Sequence, residues 1–409
     1  MKNIYLIGEH LTHSYSPEIH SYLCDYSYAL KELKKDELGD FFKKRGFDGL
    51  NVTIPYKNDV IEYLDKISPE AEKIGAVNTI LNENNTLTGY NTDYYGFMEM
   101  VKKLGAEVEN KSAVVIGGGG ASKAVCAVLS DMGASSVRVL SHKDNTPEKI
   151  GEYTDCHILV NATPVGMYPN NGISPVELEK FEKCAYVLDL IYNPSQTKLL
   201  EDAERLGKKH INGLYMLVAQ AKKAAEIFMG EEIENSRIEK ICRAIEFKTK
   251  NIVLVGMPGC GKTTVGNILA KKLNREFYDG DIEIEKAYMH PSDFILTKGE
   301  KEFRCAEHEI LCKLGKKTGC VIATGGGAVT QNENFGVLRQ NSTVVFLKRD
   351  INSLATANRP LSKGKDAVKK LFEERLPLYE KFCHIEIEAE STPQLTAEKI
   401  IDALKGAQI

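Results

Sequence analysis

Short apolar runs alternate with amphipathic stretches from one end of the chain to the other, the pattern of an α/β fold. Ile4-Tyr5-Leu6-Ile7, closed by Gly8, predicts a first strand. Residues 112–116, 137–140, 157–160 and 187–191 predict buried parallel strands, with a helix over 121–132 after the first of them. Helical periodicity runs through 214–228 and again through 231–246. A second strand series begins at 251–255 and continues at 321–323 and 343–347. Residues 247–250 between the two series contain no Gly/Ser- or Pro-rich spacer, so a short tether is expected there. No internal repeat or low-complexity tract interrupts the pattern.

The 409 residues exceed one ordinary domain, so two or three compact units are expected. With 43% hydrophobic and 27% charged residues the composition is that of a globular protein, and the net charge of −4 gives no basic footprint for nucleic acid. The apolar start is too short and too soon broken for a signal peptide. No apolar run approaches the roughly 20 residues that span a bilayer. A cytoplasmic chain without a membrane partner is therefore expected. Ten cysteines show no Cys-x-x-Cys pair and nine histidines form no metal-like set, so reduced thiols and no structural zinc are expected. No motif specifies an oligomeric state.

Gly117-Gly118-Gly119-Gly120-Ala121 follows the apolar run Ala113-Val114-Val115-Ile116 and opens a predicted helix. In that setting backbone amides and a helix N-terminus face a pyrophosphate, the dinucleotide arrangement of a Rossmann unit. The next strand ends in Ser141-His142-Lys143. His142 and Lys143 favour the 2′-phosphate of NADP, whereas Asp144 immediately after them leaves NAD open. Four polar clusters accompany this unit: His13-Ser14-Tyr15-Ser16-Pro17, Asn51-Val52-Thr53-Ile54-Pro55-Tyr56-Lys57, Ala76-Val77-Asn78-Thr79 and Gly89-Tyr90-Asn91-Thr92-Asp93. Hydroxyls and amides suit a small polyhydroxylated acid, and a Lys–Asp pair suits proton transfer. Taken singly, each cluster has a folding role as a turn or helix cap.

Gly256-Met257-Pro258-Gly259-Cys260-Gly261-Lys262-Thr263 is a complete Walker A loop between a strand and a helix. Its amides wrap phosphates, Lys262 reaches the transferred group, and the Thr263 hydroxyl is a magnesium ligand, with Gly256, Gly259, Cys260, Gly261 and Thr264 completing the ATP cradle. Asp279-Gly280-Asp281, Arg304, Gly325-Gly326-Gly327, Arg359 and Arg375 supply two carboxylates, a close-approach loop and three cations. Such a set fits a carboxylate-bearing acceptor and a transferring phosphoryl group. Without the Walker loop, Arg304 and Arg375 would read as helix-surface cations.

In this order the clusters of residues 1–246 resemble the shikimate dehydrogenase family. The resemblance extends through Asn161-Ala162-Thr163-Pro164-Val165-Gly166-Met167, Asp189-Leu190-Ile191-Tyr192-Asn193-Pro194 and Asn212-Gly213-Leu214-Tyr215-Met216-Leu217-Val218-Ala219-Gln220. It implies that Ser14 and Ser16 hold the substrate carboxylate. Thr53, Asn78, Asp93, Tyr192 and Gln220 then meet the ring hydroxyls or ketone, Lys57 is the acid/base with Asp93 its partner, and Gly213 and Met216 flank the nicotinamide of NADPH. The family often has Asn-Arg-Thr or Asn-Arg-Ser where Ser141-His142-Lys143 stands here.

Residues 251–407 resemble shikimate kinase. That implies ATP and Mg²⁺, with Asp281 deprotonating the acceptor hydroxyl, Arg304, Gly326 and Arg375 binding shikimate, and Asp279 reaching magnesium through water. Arg359 would come from a short lid over 356–365. The implied division is 1–100 with 214–246 for substrate, 101–213 for the dinucleotide, and 251–409 for the P-loop unit. Two reactions in series are expected: 3-dehydroshikimate to shikimate, then shikimate to its 3-phosphate. A quinate/shikimate dehydrogenase joined to another small polyol-acid kinase and a ligand-sensing pseudoenzyme are the alternatives. The presence of Lys57, Asp93, Lys262, Asp281 and Arg304 together argues against the second.

Overall fold

The computed structural model describes residues 1–11, 14–141, 149–354 and 365–406. His13, His142, Lys143 and Arg359, with the lid stretch 356–364, lie outside the described residues. The chain divides into two compact units, one of Met1–Met167, Ile173–Tyr192 and Leu199–Ile245, the other of Tyr168–Gly172, Asn193–Lys198 and Glu246–Ile409.

Among the described residues, the first unit holds two sheets. Strands β1 (Asn3–Gly8), β2 (Ser27–Glu32), β3 (Gly49–Val52), β4 (Lys66–Ile67), β5 (Thr79–Glu83) and β6 (Thr86–Tyr90) form one in the order β2-β1-β3-β5-β6-β4. Strands β2, β1 and β3 run parallel, and β5 joins β3 antiparallel in the register Asn51↔Thr79. Period-two alternation sends Ile4 to one face with Ile19, Val218 and Phe228, and Ile7 to the other with Leu50, Val52 and Tyr56.

Strands β7 (Ser112–Ile116), β8 (Ser136–Leu140), β9 (Ile158–Asn161), β10 (Tyr186–Asp189) and β11 (Lys209–Ile211) form an all-parallel sheet ordered β11-β10-β9-β7-β8. Val114, Ile116, Leu159 and Val187 enter the core on one face, and Ala113, Val115, Ile158, Val160 and Leu188 that on the other. Burial on both faces is why these strands read as continuous apolar runs rather than alternating ones. Each fully buried Val, Leu or Ile contributes about 1.5–3 kcal/mol over its exposed state.

Among the described residues, the second unit has one parallel sheet, built from β12 (Asn251–Val255), β13 (Phe277–Asp279), β14 (Val321–Ala323), β15 (Ser342–Lys348) and β16 (Ile385–Glu388) in the order β13-β14-β12-β15-β16. In both parallel sheets the first strand of the series lies where the order reverses, the place at which α/β sheets receive ligands.

The predicted strands lie within two residues of the observed ones. The helix expected from 231 begins later, at Ser236. Gly230, at φ +73°, ends the preceding helix, and the Ile233 amide turns to the Glu226 carboxylate at 3.0 Å instead of a helical carbonyl. The helix then continues to Thr249, through most of the stretch expected as a tether. Among the described residues, no helix is long and apolar enough to cross a membrane.

Candidate active sites

Sheet register assembles the first site from distant segments. β1 and β3 end side by side, with Ile7 opposite Val52, so the serine cluster after one and Thr53 and Lys57 after the other share the C-terminal edge. The antiparallel pairs then bring Asn78 and Thr79, and the end of β6 at Tyr90, alongside Asn51. The helix Thr92–Leu104 starts there, placing Asp93 in its first turn.

A cavity of about 450 Å³ opens at this edge. Ser14, Ser16, Thr53, Lys57, Asn78 and Asp93 line it, as do Tyr192, Gly213, Met216 and Gln220 from later in the chain. Lys57 Nζ donates to Asp93 Oδ2 at 2.6 Å, with both side chains largely covered. The Val77 amide holds the Lys57 carbonyl at 2.8 Å, which anchors the backbone under the ammonium. Asn78 Oδ1 accepts from the Thr92 amide at 2.7 Å. The Thr92 hydroxyl also donates to Gln220 Oε1 at 3.3 Å, so the amide of the helix Leu214–Met229 is tied to the same network. Burial raises the Tyr192 pKa, so its hydroxyl stays protonated as a donor.

The glycine turn stands beside this cavity. A side chain at Gly120 would have Lys57 Cδ as its nearest neighbour at 4.0 Å, and Ala121 is part of the cavity wall. Gly117 has φ +104°, and a Cβ there would strike Thr163. At Gly118 and Gly119 a Cβ would meet nothing, and the helix Gly120–Asp131 begins without a side-chain cap. Open glycines ahead of an uncapped helix are what a pyrophosphate requires, so the residues present fit a dinucleotide. Gly117 to Gly120 and Ser141 lie outside the cavity lining itself.

The second unit has a cavity of about 500 Å³ over the C-terminal ends of β12, β13 and β14. Gly259, Gly261, Lys262, Thr263 and Thr264 form one side; Asp279, Asp281, Arg304, Gly326 and Arg375 form the other. Gly261 has φ +102° at the entry to an uncapped helix, Lys262–Leu273. Lys262 Nζ lies over the loop, donating to the Gly256 and Met257 carbonyls at 2.8 and 3.0 Å. Cys260 is buried beneath the loop and Gly256 also stays out of the lining, so these two shape the loop without facing the cavity.

Thr263 Oγ1 donates to Asp279 Oδ2 at 2.6 Å, which puts a hydroxyl and a carboxylate together as hard oxygen donors. That pair fits Mg²⁺, which keeps most of its waters and takes few protein ligands. Among the described residues no group of three or more His, Cys, Asp and Glu forms a fuller metal cage. Asp279 Oδ1 accepts from the Asp281 amide at 3.0 Å and so fixes the start of the helix carrying Asp281.

Sequence reasoning passed over Glu307. It is 2% exposed, accepts from Arg304 Nη1 at 2.7 Å through Oε2, and has no hydrogen-bond partner at Oε1. Burial raises its pKa against the pull of Arg304. The i, i+3 spacing of Arg304 and Glu307 on the helix Glu300–Gly315 was the available signal. Gly325 and Gly327 also line this cavity, and a Cβ at Gly327 would overlap the Arg304 guanidinium. Arg375 is buried in the wall, and one turn on, Tyr379 donates to the Gly326 carbonyl at 2.6 Å, holding the glycine loop in place. In the first cavity Asn51, near the end of β3 and two residues before Thr53, also lines the wall.

Comparisons with known proteins match both parts of the chain. The model of the shikimate dehydrogenase substrate binding domain matches residues 6–80, and that of shikimate kinase matches residues 258–405. Shikimate dehydrogenase (NADP(+)) of Clostridium beijerinckii is 41% identical over 266 residues, 60% of this chain and 98% of the relative. The enzyme of that name from Nitrosopumilus maritimus is 36% identical over 267 residues, 58% and 97% of the two chains. Among solved structures, a chorismate mutase/shikimate 5-dehydrogenase fusion protein from Clostridium acetobutylicum aligns with TM-score 0.56 and 38% identity, over 60% of this chain and 98% of that one. Shikimate 5-dehydrogenase from Thermus thermophilus in complex with NADP(H) and shikimate aligns with TM-score 0.55 and 32% identity, over 60% and 99%.

Proposed function

From the premise that this chain belongs to the shikimate dehydrogenase family and carries a shikimate kinase domain behind it, we propose which residues perform its two reactions. The protein is a bifunctional enzyme of the shikimate pathway. It reduces 3-dehydroshikimate to shikimate with NADPH and phosphorylates shikimate with ATP to give shikimate 3-phosphate. We assign reduction to residues 1–246, with 1–100 and 214–246 holding substrate and 101–213 the dinucleotide, and phosphorylation to 251–409.

In the first cavity Ser14 and Ser16 bind the substrate carboxylate, and Thr53, Asn78, Tyr192 and Gln220 hold the ring oxygens. Gly117 to Gly120 with Ala121 receive the dinucleotide pyrophosphate, Ser141 lies toward the ribose, and Gly213 and Met216 flank the nicotinamide, which supplies a hydride when bound. Lys57 protonates the forming alkoxide and is held on target by Asp93. The 2.6 Å contact between them, at the wall of a cavity rich in hydroxyls and amides, is the observation that supports this assignment most directly.

In the second cavity the Walker loop holds ATP, whose γ-phosphoryl is the group transferred, and Thr263 and Asp279 hold its Mg²⁺. Arg304, Arg375 and Gly326 bind shikimate, while Asp281 orients the acceptor hydroxyl and takes its proton. Lys262 leaves the loop carbonyls for the phosphates. Arg359, which is outside the described residues, is assigned to the phosphates. The hydroxyl made in the first reaction is the acceptor of the second, which is the chemical reason for carrying both on one chain.

One mixture tests the whole reading: the protein with 3-dehydroshikimate, NADPH, ATP and Mg²⁺, its products resolved by mass spectrometry. Shikimate 3-phosphate accompanied by NADPH loss is expected. Accumulation of shikimate alone would remove the kinase assignment, and no consumption would remove both.

A further inference from the structure

Behind the first cavity lies a buried polar relay that the two reactions leave unused. His20, 1% exposed, stacks on Tyr28 with ring centroids 4.0 Å apart and planes 13° from parallel. Its Nδ1 meets the Tyr26 hydroxyl at 2.5 Å. Tyr28 donates to Asn51 Oδ1 at 2.9 Å. Asn51 and Ser16 both line the cavity.

Hydrogen-bond bookkeeping gives this relay one consistent polarity. Burial pushes His20 down to about 3 and Tyr28 upward, so the imidazole stays neutral and the phenol protonated across the working range. The amide oxygen of Asn51 accepts from Tyr28. Its Nδ2 is turned the other way, toward Thr79 Oγ1 at 3.1 Å and the Asn78 carbonyl at 3.4 Å. That carbonyl already accepts from the Val52 amide at 2.8 Å, so the second Nδ2 hydrogen has only a long, shared partner.

We propose that His20 and Tyr28 are positioning residues for the dehydrogenase reaction: His20 holds the Tyr28 ring by stacking, and Tyr28, donating to Asn51 Oδ1, locks that amide so that its NH₂ group is presented to an oxygen of the bound acid. The proposal rests on the reading of this cavity as the shikimate site. An amide left free to flip would present its oxygen half of the time, repelling the same ligand oxygen.

Tyr28→Phe is the direct test, because it keeps the ring stacked on His20 and removes only the donor to Asn51. NADP⁺-dependent oxidation of shikimate should show KM for shikimate raised roughly three- to tenfold, the factor that one hydrogen bond commonly represents. The kcat and the KM for NADP⁺ should stay within about twofold. In an Asn51→Ala background the same change should add nothing. His20→Phe, which retains a ring against Tyr28, should lie nearer the parent than His20→Leu does. KM unchanged in Tyr28→Phe, or an undiminished effect on top of Asn51→Ala, overturns the proposal. If the unaltered protein fails to oxidise shikimate, the reading of the cavity falls and the inference with it; if only the variants behave wrongly, the inference alone falls.

Discussion

Gly325→Ala should damage phosphorylation sharply while leaving reduction intact. A Cβ on this residue would sit 2.5 Å from Glu307 Oε1 and 3.0 Å from Asp281 Oδ1. The backbone of Gly325 is outside the left-handed region, so alanine suits it and the effect comes from the methyl alone. Carbon and oxygen need somewhat over 3 Å, so the Glu307 carboxylate must retreat by most of an ångström. It cannot do so freely, because Oε2 is bonded to Arg304 at 2.7 Å and the side chain is buried. Overpacking of this kind costs about 1–3 kcal/mol of stability. The larger effect falls on the reaction, since Glu307 fixes Arg304 and Asp281 is itself pushed. Misplacing reacting groups by about 1 Å costs on the order of a hundredfold. A coupled assay of ADP release should therefore show kcat/KM for shikimate falling roughly 30- to 100-fold, with dehydrogenase rates unchanged in the same preparation. A kcat/KM within about twofold of the parent would refute the claim that Glu307 and Asp281 leave no room beside Gly325.

Lys57→Ala should lower ketone reduction by about 10²- to 10⁴-fold and leave phosphorylation of supplied shikimate intact. Lys262→Ala should do the reverse, and either variant silencing both reactions while still folded would contradict two independent sites. The relay makes a separate claim about acid. The folded His20 value, about 3, lies below its ordinary value of 6.5, so the unfolded chain binds the extra proton and stability falls as pH drops from about 6.5 toward 3. The slope from this one group approaches about 1.4 kcal/mol per pH unit. Urea denaturation of the parent and His20→Leu at pH 7, 5.5 and 4.5 should give a shallower fall in the variant; parallel falls would show that His20 is not buried in its neutral form.

Much of the chemistry was legible because some motifs are local. The Walker loop and the glycine turn each do their work within about eight residues, and backbone conformation there follows directly from residue type. The buried strands were legible because burial on both faces leaves an uninterrupted apolar run. The start of the helix at Ser236 was not, because the Glu226 carboxylate captures the Ile233 amide across seven residues and periodicity carries no trace of that bond.

By itself, then, the sequence determined the α/β class, the two nucleotide loops and the residue types available for each reaction, since these depend on spacing along the chain. Tertiary structure decided which of them meet. Lys57 and Asp93 are 36 residues apart and touch only because β3, β5 and β6 pair in one register. The partner of Arg304, the close quarters at Gly325 and the direction in which Asn51 points depend on atoms from separate elements converging. Hydrogen bonds and van der Waals overlap act over a few ångströms in space, and no one-dimensional pattern encodes that distance.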